Sequence, residues 1–207
     1  MSIRASEQAD RQAHAGSPRH ADTSSTRRTR SLKGWGDQLS RFGDTTEHRW
    51  GNSKSLISTV TGVSELRPHP TAEYTPDGLK GVDLVLLKLD QPVANQPLPL
   101  GEESPAIGTP LRLPGWGFTS YDERIEPERL QEITLPLTQA HEHILEMINA
   151  DRGINAGDSG GPAVAATPDG WSLIGVTTGL GVDESGARVS GYVNVTQFLD
   201  WIRQTIG

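Results

Sequence analysis

From Leu39 onward, short apolar runs alternate with polar stretches rich in turn formers. The runs are 55–63, 82–89, 130–137, 144–148, 161–165 and 172–178, and clusters of Gly, Pro, Asn and Asp separate them. Apolar and β-branched runs of this length, bounded by such clusters, predict strands, and their spacing predicts an all-β barrel or sandwich. The last dozen residues read differently. Phe198, Leu199, Ile202 and Ile206 recur at helical spacing, with Thr196 placed to cap the helix. The expected core includes Leu84, Leu86, Val176, Trp201 and Ile202. The first 31 residues carry neither a period of two nor one of 3.6. They predict a disordered segment that packs against little.

Composition narrows the class. A chain of 207 residues suffices for one domain, or for two subdomains sharing a cleft. With 23 Gly and 14 Pro it favours many turns over long helices. The absence of Cys excludes disulfides and thiol chemistry. No apolar run approaches the roughly 18 residues of a membrane span, and the opening residues lack the apolar core of a secretory signal. The net charge of −7 argues against nucleic acid or an acidic membrane as partner. The charge is uneven: residues 1–33 hold seven Lys/Arg and three Asp/Glu, whereas the rest holds twelve and 23.

The candidate chemistry lies at Asn155-Ala-Gly-Asp-Ser-Gly-Gly-Pro162, just before the strand-like Ala163-Val-Ala-Ala. A hydroxyl nucleophile needs its oxygen exposed on a sharp turn, with backbone N–H groups free to hold an oxyanion. Gly157 permits a backbone conformation that a side chain would forbid, and Ser159 is the candidate nucleophile. Asp83 stands just before the apolar Leu84–Leu87, where a buried acid would need a partner. The alternative is a solvated strand-end acid, as Asp90 reads.

Gly157-Asp158-Ser159-Gly160-Gly161-Pro162 resembles the nucleophile loop of the trypsin/chymotrypsin family. Further segments agree in the family's order. Gly81–Leu89, preceded by His69-Pro70 and Tyr74, is similar to the strand carrying the triad aspartate. Gly115-Trp116-Gly117 is similar to the interbarrel turn, and the strand at Leu130-Gln131 follows it. Gly191–Ile202 is similar to the last strand and closing helix, and Ser40–Gly43 resembles a strand of the first barrel. The resemblance implies two six-stranded antiparallel β-barrels with a C-terminal helix, the first barrel truncated. Residues 1–33 would lie outside the family and 34–207 would form the peptidase domain. It implies a secreted, monomeric serine endopeptidase acting on polypeptides, with no cofactor or metal. Ser159 would attack the scissile carbonyl, the N–H groups of Gly157 and Ser159 would form the oxyanion hole, and Asp83 would orient a histidine. Gly153 would lie at the floor of the primary pocket. Because it is not an acid, it favours an apolar or small substrate residue over Lys or Arg. Thr178 and Gly179 would form the wall that takes substrate as an added strand.

The general base departs from the family. No His lies between Ala21 and Phe42, where the family places an Ala-Ala-His. His14 and His20 lie too far upstream, His48 falls after the Phe-Gly segment, His69 fits the His-Pro turn, and His141-Glu-His143 reads as an exposed polar strand face. Two readings account for this. In one, the chain is an inactive homologue that binds without cleaving. In the other, the first residues are read in a different frame: Arg27-Arg28-Thr29-Arg30 written CGC CGC ACA CGC becomes Ala-Ala-His one nucleotide on. The Ile-Val-Gly-Gly terminus that pairs with the Asp before the nucleophile in many relatives is also absent, leaving Asp158 without a visible partner.

Overall fold

The computed structural model describes residues 2–4, 62–76 and 78–207. Strands β1 (Ser2–Arg4), β2 (Val63–Pro68) and β5 (Val85–Leu89) form one antiparallel sheet in the order β1-β5-β2. Strands β3 (Glu73–Thr75) and β4 (Gly78–Lys80) form a hairpin beside it. A second sheet holds β6 (Pro110–Gly115), β7 (Gln131–Pro136), β8 (Gln139–His141), β9 (Ile144–Asn149), β10 (Pro162–Thr167), β11 (Gly170–Val182) and β12 (Arg188–Asn194). A 3₁₀ turn over Val195–Phe198 leads into α1 (Leu199–Ile206).

The order of the second sheet is β7-β6-β10-β11-β12-β9-β8. Its two end strands, β7 and β8, are separated only by Leu137 and Thr138. β7 pairs with β6 and β8 pairs with β9, so one bent strand closes the ring and the sheet is a six-membered barrel. Every second residue points inward, as the pleat requires. Leu111, Leu113, Leu135, Leu145, Met147, Ala163, Ile174 and Tyr192 fill the barrel together with Ile154.

The stretch before and within β5 is buried without a break from Val82 to Leu87. Its alternate residues serve two cores. Val82, Leu84 and Leu86 pack with Val176, Val193, Val195 and Ile202 of the second barrel and α1. Val85 and Leu87 pack against Leu66, Ala72 and Leu79 of the first half. The strand is therefore the seam of the molecule, and its lack of alternation follows from burial on both faces.

Leu84, Leu86, Val176 and Ile202 are buried as expected, but Trp201 is only half-buried, because it packs along the edge of this cluster. Thr196 does not cap the C-terminal helix. Asn194 caps the 3₁₀ turn that precedes it, its side-chain oxygen accepting from the Thr196 N–H at 3.2 Å, and the α-helix itself starts after Phe198 with no side-chain cap. β11 runs four residues past the expected end at Thr178, through Gly179 and Gly181, whose low strand propensity hid it. Ser2–Arg4 pair antiparallel with Val85–Leu87, which composition did not predict. The remainder of the expected disordered segment, and the Ser40–Gly43 strand, lie outside the described residues.

Candidate active site

Ser159 sits in the loop that joins β9 to β10. The loop is pinned by its own backbone. Asp158 N–H donates to the Asn155 carbonyl at 3.1 Å, and Gly161 N–H donates to the Asp158 carbonyl at 2.8 Å. Gly157 has φ of +96°, and a Cβ there would lie 3.1 Å from the Gly117 Cα. Both the conformation and the close approach require glycine. The N–H groups of Gly157 and Ser159 donate to no protein acceptor among the described residues. This pair of open donors beside a half-buried serine hydroxyl is what a developing oxyanion needs.

Asp83 is 5% exposed. Thr178 Oγ1 donates to its Oδ2 at 2.6 Å. The preceding residue, Thr177, holds the nucleophile loop: its carbonyl accepts from Gly160 N–H at 3.0 Å and its N–H donates to the Gly161 carbonyl at 2.8 Å. The Thr177-Thr178 dipeptide thus ties the loop of Ser159 to the buried carboxylate of Asp83. Thr178, expected in the substrate wall, lines the groove beside β11 and also binds Asp83. Gly179 lies in the same groove, with no atom within 4 Å of where its Cβ would be.

Asp158, which had no visible partner in the sequence, is held by backbone donors. Its carboxylate accepts from Gly117 N–H at 2.7 Å and from Asn155 N–H at 2.8 Å. Burial pushes its pKa up, and the two N–H bonds oppose that shift. A Cβ at Gly115 or Gly117 would run into this carboxylate. The glycines of the Gly-Trp-Gly turn are therefore the seat of Asp158. A cleft of about 320 Å³ opens in front of it, lined by Gly117, Phe118, Tyr121 and Gly153 among others.

Gly153 lies at that cleft. Its carbonyl accepts from Tyr121 Oη at 2.9 Å, and a Cβ would meet Ser190 Oγ at 2.8 Å. Arg188 stacks its guanidinium 3.6 Å above the Tyr121 ring. Sequence reasoning missed Tyr121, Arg188 and Ser190, because nothing local marks a loop residue and two residues of β12 as neighbours of Gly153.

Three of the six histidines are described, and each ring is engaged away from Ser159. His69 contacts Phe198 and Trp201 edge-on and bonds Thr71 through Nδ1. His141 bonds Gln139, and His143 lies against Phe198 and 3.9 Å from the Glu142 carboxylate. Glu142 takes φ of +46°, so Glu142 and His143 form a turn between β8 and β9, whereas His141 ends β8 on an exposed extended face as expected. His14, His20 and His48 lie outside the described residues. Among the described residues no group of three or more His, Cys, Asp or Glu could hold a metal ion. No described helix is long and apolar enough to cross a membrane.

Comparison with known proteins agrees with this geometry. Phenoloxidase-activating factor 3 from Holotrichia diomphalia is 28% identical over 169 residues, which is 70% of this chain and 47% of that protein. The chain thus spans about half the length of the curated relative it matches. Among solved structures, mouse neuropsin, a serine protease expressed in the limbic system of the brain, superposes with a TM-score of 0.62. The superposition covers 71% of this chain and 72% of neuropsin at 21% identity, a likeness of fold. The profile of the trypsin family matches residues 41–202, a span that takes in Asp83, the Gly-Trp-Gly turn, the Ser159 loop and the start of α1. The chain belongs to the trypsin/chymotrypsin-like serine peptidase family.

Proposed function

We propose that this protein is a serine endopeptidase that cleaves polypeptides through an acyl-enzyme on Ser159. The observation that carries the reading is the bridge from the Ser159 loop through Thr177-Thr178 to buried Asp83. In the first step Ser159 Oγ bonds to the scissile carbonyl carbon and gives its proton to a base. The carbonyl oxygen takes the negative charge facing the N–H groups of Gly157 and Ser159. Collapse of this intermediate expels the amine, which takes the proton from the base, and leaves an ester on Ser159. Water then hydrolyses the ester by the same route. Asp83 keeps the base imidazole in the right tautomer and stabilises its cation. Gly153, Thr178 and Gly179 lie on the substrate side. The reading extends to a monomer acting outside the cell, as the family resemblance implies.

A second reading has its own support: the three described histidine rings contact Thr71, Phe198, Trp201, Gln139 and Glu142. On it, the chain is an inactive homologue that binds polypeptides. A fluorophosphonate probe and a mixed peptide library at pH 8, where imidazole is largely neutral, separate the two. The endopeptidase predicts labelling and turnover that Ser159→Ala abolishes. No turnover, or labelling untouched by Ser159→Ala, decides for the inactive homologue.

A further inference from the structure

Among the described strands, β11 is paired on both edges only at Gly175 and Val176. β10 covers one edge as far as Val176, while β12 continues along the other to Val182. Beyond Thr178 the first edge faces a cleft of about 340 Å³. Across this part of the sheet Gly179 stands opposite Gly191, and Gly191 stands opposite Glu146 of β9. Two of the three residues in that row have no side chain, so nothing in the row stands between the Glu146 side chain and the open edge. Ile144 and Val189 give the cleft apolar walls, and Thr178, the partner of Asp83, lies at its end. Among the described residues, Glu146 is the only ionisable one lining the cleft. It is half-buried, and its carboxylate has neither a hydrogen bond nor an ion pair among the described residues.

A half-buried carboxylate between apolar walls has lost part of its hydration and gains from a cation that arrives with its own apolar stem. Lys and Arg side chains have that build. An extended polypeptide added to the free edge of β11 sends alternate side chains toward the sheet face that carries Glu146. We infer that Glu146 is a specificity residue that recruits a Lys or Arg side chain of a polypeptide lying along the Gly179–Val182 edge. The inference rests on the polypeptide-binding role proposed above but not on turnover, because the cleft would select the same side chain in an inactive homologue. It also places a basic preference at Glu146, apart from the cleft of Gly153.

The test is equilibrium binding, by fluorescence anisotropy, of labelled hexapeptides to the Ser159→Ala chain. In each peptide one position is Lys or its uncharged analogue norleucine. At one position Lys is expected to bind about tenfold tighter, on the order of 1.4 kcal/mol. The preference should weaken in high salt. Glu146→Gln, which keeps the shape, should bring the Lys-to-norleucine ratio to about one, and Glu146→Lys should make Glu the favoured residue at that position. Lack of a Lys preference at every position, or a preference that survives Glu146→Gln, overturns the inference. Turnover measured in parallel on the unaltered chain keeps the two readings apart. Selective binding without cleavage supports Glu146 and refutes the peptidase, whereas cleavage without Lys selection does the reverse.

Discussion

Individual side chains at the site are set by contacts that leave little freedom. Gly157 must hold φ of +96°, and a Cβ there would lie 3.1 Å from the Gly117 α-carbon. Gly157→Ala is expected to cost roughly 1–3 kcal/mol of stability, measured by urea unfolding, and to slow phosphonate labelling of Ser159. Unchanged stability with unchanged labelling would show that the loop relaxes freely. In the proposed mechanism Thr178 acts through Asp83, to which its hydroxyl donates. A hydrogen bond to a charged group contributes about 1.5–3 kcal/mol, so Thr178→Val should slow labelling of Ser159 roughly 10- to 100-fold, with the largest loss near neutral pH. Thr178→Ser keeps the hydroxyl and should restore the rate. A purely structural role for Thr178 would leave Thr178→Ser and Thr178→Val alike.

The C-terminal helix owes its place to what it packs against more than to its length. At eight residues α1 is too short to persist alone. Asn194 starts the turn before it, bonding the N–H and hydroxyl of Thr196 and donating to Ser104 Oγ at 2.7 Å. Asn194→Ala removes the cap of that turn and the partner of the half-buried Thr196 N–H. It is expected to cost about 1–3 kcal/mol in a denaturant titration. Ile202, 2% exposed, fits between Leu84, Val176 and Val195. Ile202→Ala should cost about 2–5 kcal/mol. A loss below 1 kcal/mol would mean that the cluster collapses onto the space.

Across the whole molecule α1 clasps the two halves. Arg67 of β2 donates to the Thr205 carbonyl at 2.9 Å, and Arg203 bonds both oxygens of Glu102. Between these contacts His69, at the end of β2, lies against Phe198 and Trp201. Burial, and then the charge of His143 nearby, lower the His69 pKa below its ordinary 6.5. The unfolded chain therefore binds a proton that the folded one resists. Stability from this contact is fully present above about pH 6.5, the unfolded value, and is lost as pH falls through the lowered folded value. Thermal melting between pH 7.5 and 5 should show this loss, and His69→Phe, which keeps the ring contacts, should flatten it. An equal slope in both chains would place the pH dependence elsewhere.

Much of this architecture is local and therefore legible along the chain. The strand runs, the unbroken burial of 82–87, the helical spacing after Val195 and the Gly157–Pro162 string all follow from neighbouring residues, because pleat, helix pitch and tight turns are short-range constraints. What pairs with what is not local. The Thr178 hydroxyl meets Asp83 from 95 positions away, and Gly117 gives its N–H to Asp158 from 41. The Gly-Trp-Gly turn looks like a simple bend until Asp158 is found resting on it. Glu146 is one polar residue of an alternating strand until Gly191 and Gly179 fall into its row. In each case residue types determine which groups are available, and the register of strands distant in sequence decides which of them meet.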